Sequence, residues 1–194
     1  MATEFECKFS ASPAQQEQIH FALGTVTQTL QMETTYYDTP DKALSRRFWT
    51  LRRRMENGTP VCTLKTPAGG LGRNEFECRC DTVEAAIPQL CALMGSRALL
   101  ALTVDGVQPI CGARFTRKTF WITRQDFEAE VALDRGILFG GSREQPLCEV
   151  EVELKGGSRD SMLDYARDLQ EKFDLRIEHK SKFRRALELA EGEK

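Results

Sequence analysis

The residues of this sequence that could do chemistry are charged side chains placed two positions apart. Glu149, Glu151 and Glu153 follow one another at this spacing, with apolar residues between them. Because alternate side chains of a strand point to the same face, these carboxylates would lie side by side and repel one another. A bound cation would relieve that repulsion. The same alternation recurs in five other segments, which carry Glu4, Glu6 and Lys8; Arg52 and Arg54; Lys65; Glu75, Glu77 and Arg79; and Glu128 and Glu130.

These polar faces are sorted by charge, since some are nearly all acidic and others nearly all basic. An antiparallel sheet with one wet face would explain any single segment, and that interpretation stays open for each strand alone. Taken together, the segments favour a shared interior, where buried charges must be paired or bound to ions. Carboxylates with Arg and Lys, and without thiols or imidazoles, match a hard divalent cation and a chain of phosphates.

Composition narrows the class of protein. The chain has 194 residues, 41% of them hydrophobic, which predicts one domain over 1–194. A net charge of -2 argues against a nucleic-acid-coating protein. The sequence has no run of about 18 apolar residues, so no membrane span is predicted. Seven cysteines without a signal peptide predict reduced thiols and a cytoplasmic location. With only His20 and His179 in the sequence, a histidine base is disfavoured.

Eight extended elements are predicted to position these charges. Asn57-Gly58 is a hairpin signal, and closely spaced strands with tight turns indicate antiparallel pairing. The predicted strands span 3–9, 33–38, 47–56, 60–66, 73–81, 113–124, 126–133 and 147–155. Helices are predicted from Pro13 to about Gly24, after Thr82 with Pro88 kinking or shortening it, from Ser158 to Phe173, and from about Lys182 to Ala190. The expected fold is α+β, an eight-stranded antiparallel β-barrel with a polar, charged interior, flanked by helices.

An ordered series of motifs resembles the CYTH superfamily, the triphosphate tunnel metalloenzymes. It begins at Glu4-Phe5-Glu6-Cys7-Lys8, an E-x-E-x-K motif that would be weak alone. The later matches are Tyr36-Tyr37-Asp38-Thr39-Pro40, Leu51-Arg52-Arg53-Arg54, Thr63-Leu64-Lys65, Arg73 with Glu75, Arg117 before Trp121, Glu130 to Gly136, Glu149 to Lys155, and Ser181-Lys182. Within the superfamily the sequence is most similar to bacterial inorganic triphosphatases. Those proteins often carry a second, helical CHAD domain, and none is expected within 1–194.

The resemblance implies a tunnel open at both ends that hydrolyses a triphosphate with Mg²⁺ or Mn²⁺. It implies metal binding by Glu4, Glu6, Glu151 and Glu153. Phosphates would be held by Lys8, Arg52, Arg54, Lys65, Arg73, Arg117 and Lys182, with Glu75 also at the substrate. Lys8, Glu130, Glu149 and Lys182 are the expected catalytic residues. Arg53 is expected to face outward, and Asp134 is either a structural residue in a turn before Gly136 or part of the site.

The expected reaction is in-line attack of a water on the terminal phosphorus of tripolyphosphate, with Glu130 or Glu149 activating the water and no side-chain nucleophile. Two alternatives stay open. One is another CYTH activity on thiamine triphosphate, on a nucleoside triphosphate or as an adenylate cyclase, with Trp49, Trp121 or Tyr37 available to stack on a base. The other is a polyphosphate-binding module without turnover, which the acidic strands argue against.

Overall fold

The computed structural model of the protein describes residues 5–68 and 73–192. Its strands are β1 (Glu6–Ser10), β2 (Gln28–Asp38), β3 (Thr50–Glu56), β4 (Thr59–Pro67), β5 (Arg73–Cys78), β6 (Gln108–Thr123), β7 (Phe127–Gly140), β8 (Arg143–Gly157) and β9 (Arg176–Ile177). Its helices are α1 (Pro13–Leu23), α2 (Val83–Met94), α3 (Ala98–Leu102), α4 (Arg159–Lys172) and α5 (Lys182–Glu191), and a short 3₁₀ turn covers Ser45–Arg47.

The strands form one antiparallel sheet in the order β5-β4-β3-β2-β6-β7-β8-β1-β9. The predicted antiparallel sheet flanked by helices is confirmed. The structure differs from the expected closed eight-stranded barrel because, over the described residues, a ninth short strand pairs with β1 and no backbone hydrogen bonds join β5 to β9. The sheet is nevertheless curled, since residues from β1 and from β5 line the same cavity.

Helices cover the apolar outer face of the sheet in two places. Helices α1 and α4 pack over β1, β7 and β8, where Ile19, Met162 and Ala166 join a core with Val150 and Val152. Helices α2 and α3 pack over β3, β4 and β5, where Leu90 and Leu99 belong to a second core. The two outer cores leave the other, concave face of the sheet to the charged side chains.

Helix α5 lies on the concave face at one end. Its Ala186 and Leu187 form a third core with Phe115, Leu138 and Leu147 of the long strands β6, β7 and β8. Helix α5 therefore packs over one end of the concave face, with its apolar residues against this core and its Lys182 and Arg185 against the buried carboxylate of Glu149.

The helix signals in the sequence are largely confirmed. Ser12 and Gln15 form the predicted capping box at the start of α1, and Thr82, Ser158 and Ser181 each accept a hydrogen bond from the first turn of a helix. Pro88 was expected to kink or shorten α2; it does not shorten this helix, which continues to Met94. None of the helices within 5–68 and 73–192 is long and apolar enough to cross a membrane.

Candidate active site

A cavity of about 720 Å³ lies on the concave face of the curled sheet. It brings together residues that are far apart in sequence, from β1 to β6, from β8 and from the start of α5. The site residues predicted from the sequence that line it are Glu6, Lys8, Arg52, Arg54, Lys65, Arg73, Arg117, Glu151 and Lys182. The cavity is therefore rich in cations, with carboxylates mainly on the β1 and β8 wall.

One end of this cavity rests on a buried group of charges that we call the ion network, defined as Arg117, Asp134, Glu149, Glu151, Lys182 and Arg185. Lys182 Nζ lies 2.8 Å from Asp134 Oδ2 and 2.7 Å from Glu151 Oε1, and it also contacts Glu149. Arg185 Nη1 donates to Glu149 Oε1 at 2.6 Å. Three cations thus face three carboxylates, which is the pairing that buried charges need.

The network fixes the charge state of its members. Burial would lower the pKa of Lys182, but Asp134, Glu151 and Glu149 around it raise that pKa above its ordinary value. Burial would raise the pKa of Glu151, but Lys182 and Arg117 hold it well below its usual range. Both side chains are therefore charged near neutral pH, and Lys182 presents a permanent positive charge to the cavity.

Asp134 does not lie in a turn, which corrects one of the two sequence interpretations. It is in the middle of β7, fully buried, and pairs in register with Arg117 of β6 and Glu149 of β8. Gly136, which suggested a turn, is required for a different structural reason. A Cβ atom at Gly136 would lie 2.1 Å from the backbone oxygen of Arg114, so this position needs glycine for the close approach of β6 and β7.

The opposite wall carries the arginines and the lysine of β3 and β4. Glu75 of β5 lies 3.3 Å from both Arg52 Nη2 and Lys65 Nζ, so it holds these two cations side by side. Arg54 contacts Glu56. Among the residues that the structure describes, the buried Nε atoms of Arg52 and Arg54 have no hydrogen-bond partner. An anion in the cavity is the kind of partner that such donors need.

Burial and the neighbouring Arg52 lower the pKa of Arg54, although a guanidinium stays protonated at any physiological pH. Arg53, between these two arginines, donates from Nε to the backbone oxygen of Asp81 at 2.7 Å and does not line the cavity. Its outward position was expected from strand alternation. Arg73 donates from Nη2 to the backbone oxygen of Phe48 at 2.6 Å.

A row of carboxylates crosses β1, β8 and β7, two residues along β8 from Glu151 of the ion network. Glu6 pairs in register with Glu153, and Glu153 pairs with Glu130 of β7. Lys8 Nζ lies 3.5 Å from Glu6 Oε1, and Lys155 Nζ lies 2.7 Å from Glu153 Oε2. Burial raises the pKa of Glu130, and the neighbouring Glu153 adds to this. Glu4, also predicted to bind metal, lies outside the described residues.

This row has the donor chemistry that a hard divalent cation prefers. Its donors are carboxylate oxygens, and cross-strand pairing puts like charges next to one another, which a cation would relieve. Asp134, Glu149 and Glu151 also offer carboxylate oxygens within 4.8 Å of one another, a spacing that could hold a metal ion. Those three already bind Lys182, Arg117 and Arg185, so a metal there would have to displace protein cations. Glu151 lies between Glu149 and Glu153 on β8, so it belongs to one group of carboxylates and neighbours the other.

Sequence reasoning missed two arginines. Arg185 joins the ion network because it follows Lys182 by three residues on α5, and the i, i+3 spacing places both on one helix face. Arg159, the first residue of α4, lines the cavity with its guanidinium carbon 3.8 Å from the centre of the Phe5 ring. No charge alternation marks Arg159 in the sequence, because it follows the last residue of a strand rather than lying within one.

The three aromatic residues considered for base stacking lie in different places. Tyr37 and Trp49 are partly buried and pack against the core under α2 and α3. Trp121 is half-exposed and pairs in register with Glu130 on the neighbouring strand. Tyr36, which was not assigned a role beyond its motif, is buried and lines the cavity beside Phe183.

Comparison with known proteins identifies the family of this chain. A sequence model of the CYTH domain matches residues 2–187. The chain belongs to the CYTH family. An inorganic triphosphatase from Haemophilus influenzae is 33% identical to this CYTH chain over 194 residues, which cover 95% of the chain and 54% of that protein. A thiamine-triphosphatase from Macaca fascicularis is 28% identical over 156 residues, covering 77% of the chain and 61% of that protein.

This CYTH chain therefore spans about half to three fifths of the length of the curated relatives it matches. Among solved structures, a Hippeastrum protein with an adenylyl cyclase name and a dominant triphosphatase activity superposes with a TM-score of 0.65 at 20% identity. The match covers 93% of both chains. At that identity the likeness shows a shared fold.

Proposed function

We propose that this CYTH protein hydrolyses inorganic triphosphate to diphosphate and phosphate, with Mg²⁺ or Mn²⁺ as the metal. The observation that carries the proposal is the cavity wall of Arg52 and Arg54, which faces the carboxylates of β1 and β8. The buried Nε atoms of these arginines have no hydrogen-bond partner within 5–68 and 73–192. A pure anion-binding protein would need the cations alone. The names of the Haemophilus and Macaca relatives support a triphosphatase.

The cations of the cavity bind and orient the phosphate chain in this proposal. Arginines give flat, paired donors that match phosphate oxygens, and lysines give point charges. The phosphate-binding set is Lys8, Arg52, Arg54, Lys65, Arg73, Arg117 and Lys182. Glu75 is placed as a positioning residue rather than a direct substrate ligand, since a carboxylate repels phosphate but holds Arg52 and Lys65 together at 3.3 Å.

Glu6, Glu151 and Glu153, with Glu4, are the residues that would hold the metal. A bound divalent ion supplies positive charge at the phosphate oxygens, which lowers the barrier to displacement. The protein contributes three carboxylate side chains from two paired strands, β1 and β8. Paired strands are stiff supports, which suits a site where the ligands must keep their spacing.

Of Glu130 and Glu149, Glu130 is the better candidate for orienting the attacking water and taking its proton. Burial raises the pKa of Glu130, which makes its carboxylate a stronger proton acceptor. Glu149 is fully buried, and its two oxygens contact Lys182 and Arg185. It is therefore placed as a positioning residue that holds Lys182 at the cavity. In-line attack at the terminal phosphorus then needs no covalent intermediate.

The test is phosphate release from tripolyphosphate, ATP and thiamine triphosphate, each measured with Mg²⁺, with Mn²⁺ and with a chelator. We expect release from tripolyphosphate only when the metal is present. Tight binding of tripolyphosphate without release, in either metal, would instead indicate a binding module. Release of diphosphate from ATP would indicate a cyclase-type reaction at the α-phosphate.

Thiamine triphosphate is the second candidate substrate. It is favoured by the half-exposed Trp121, which lies opposite Glu130, because an aromatic ring beside a carboxylate can hold an organic cation. Faster turnover of thiamine triphosphate than of tripolyphosphate in the same panel would favour it, and Trp121→Leu would then lower that preference.

A further inference from the structure

Arg159 differs from the other cations on the cavity wall. Lys8, Arg52, Arg54, Lys65, Arg117 and Lys182 each have a carboxylate within 4.0 Å. Within the part of the chain that the structure describes, Arg159 has neither a salt bridge nor a hydrogen bond from its side chain, although it lines the same cavity. It is an exposed residue at the start of α4, so it lies at the rim rather than at the base of the cavity.

The Phe5 ring holds this arginine in place. The guanidinium carbon of Arg159 lies 3.8 Å from the ring centre, which is a close cation–π contact. Stacking uses the flat face of the guanidinium and leaves its N–H edge free. Those edge donors are the ones that pair with two phosphate oxygens at once.

Phe5 lines the same cavity, but the guanidinium of Arg159 lies over its ring. The ring is also partly buried and packs against the outer core that includes Val150 and Val152. The rim at Phe5 therefore offers a positive edge rather than an open aromatic face. It suits a phosphate group better than a nucleobase.

We infer that Arg159 is a specificity-determining residue that binds the distal phosphate of an inorganic chain at the cavity rim, with Phe5 as its support. The inference rests on the proposed function and extends it, since it predicts a preference for tripolyphosphate over a triphosphate that carries an organic group. In ATP the phosphate at this rim is esterified by the nucleoside, so it has one ionisable oxygen fewer and offers Arg159 a weaker anion.

The experiment compares Arg159→Gln with Arg167→Gln, using wild-type protein as reference. Arg167 lies on the same helix, is largely exposed and pairs with Asp164, so it controls for loss of a surface charge on α4. For Arg159→Gln we expect KM for tripolyphosphate to rise about three- to tenfold, as for the loss of a charged hydrogen-bonding partner, with a smaller rise in KM for ATP. Phe5→Leu should give a smaller rise in the same direction.

Titration calorimetry with tripolyphosphate separates this inference from the proposed function. If wild-type protein releases no phosphate from any triphosphate, the proposed function fails, and the role of Arg159 is still read from binding. Weaker binding of tripolyphosphate by Arg159→Gln than by Arg167→Gln supports the inference. Equal affinity in the two variants, or equal rises in KM for tripolyphosphate and ATP, overturns it.

Discussion

Arg117 and Asp134 face each other across β6 and β7, and two parallel hydrogen bonds of 2.7 Å join the guanidinium to the carboxylate. The same Arg117 donates to Glu151 at 2.5 Å, so this arginine links one of the proposed metal ligands to a buried aspartate. Burial would lower the pKa of Arg117, but Asp134 and Glu151 raise it well above its ordinary value. The buried Asp134 therefore fixes the position of Arg117 in the cavity wall.

Replacing Asp134 by Asn should destabilise the protein. The amide would leave Arg117 and Lys182 facing each other with one negative charge fewer, in a place without solvent to compensate. Removal of one partner from a buried ion pair costs about 3 kcal/mol or more. The free energy of unfolding in urea measures this. Asp164→Asn, which removes an exposed partner of Arg167, should change it by about 0.5 kcal/mol at most.

Replacing Glu153 by Gln should weaken the metal dependence of catalysis. Glu153 lies between Glu6 and Glu130 in the carboxylate row, and the amide keeps the shape of the side chain but removes its charge. We expect kcat to fall about 10²-fold and the metal concentration for half-maximal rate to rise. Glu144→Gln, at an exposed position on the same strand, is the matched control. Wild-type metal dependence in Glu153→Gln would remove this residue from the metal site.

Replacing Arg52 by Lys should raise KM for tripolyphosphate about tenfold, because the positive charge stays while the flat, paired donors are lost. Arg53→Lys is the control. This neighbour lies on the other face of β3, where it bonds to the backbone of Asp81, so KM should stay at the wild-type value. Steady-state phosphate release gives both numbers. Equal KM for the two variants would place Arg52 outside the phosphate site.

The buried thiols should be inert and should make the protein sensitive to alkali. Burial raises the pKa of Cys62 from 9.0 to about 12, and burial raises that of Cys111 to about 12 as well. In the native protein at pH 8 both should resist a thiol-specific colorimetric reagent, and both should react in denaturant.

The same two thiols predict the direction of the pH dependence of stability. Their pKa is raised in the folded state, so the unfolded chain loses these protons first when pH increases. The stability they contribute is fully present below about pH 9 and is lost as pH rises towards 12. Urea midpoints between pH 8 and 10.5 should therefore fall, and Cys111→Ala should reduce the slope. A midpoint that is constant over this range would contradict the prediction.

Much of the fold follows from local patterns. Alternating charges placed Lys8, Arg52 and Lys65 on one face of their strands, and the structure brings those side chains to one cavity. Capping residues such as Ser12 placed the helix starts. These signals are readable because each depends on neighbours a few residues away.

What could not be predicted depends on contacts between distant segments. The carboxylate of Asp134 is buried against Lys182, which is 48 positions away along the chain. The residues next to Asp134 in the sequence do not indicate this contact, so its role was open to interpretation. The placement of α5 over one end of the cavity depends on packing of Leu187 against Leu138 and Leu147 in the third core. Strand alternation can show which side chains share a face, but not which helix will cover that face.

The two edges of the sheet, β5 and β9, have a mechanical consequence. A closed barrel has a whole number of strands and a whole-number stagger, so its bore can change only in steps. Over the described residues no hydrogen-bond ladder joins the edges of this sheet, and its curvature can vary continuously. The two walls can thus move closer together or further apart while every backbone hydrogen bond of the sheet stays intact.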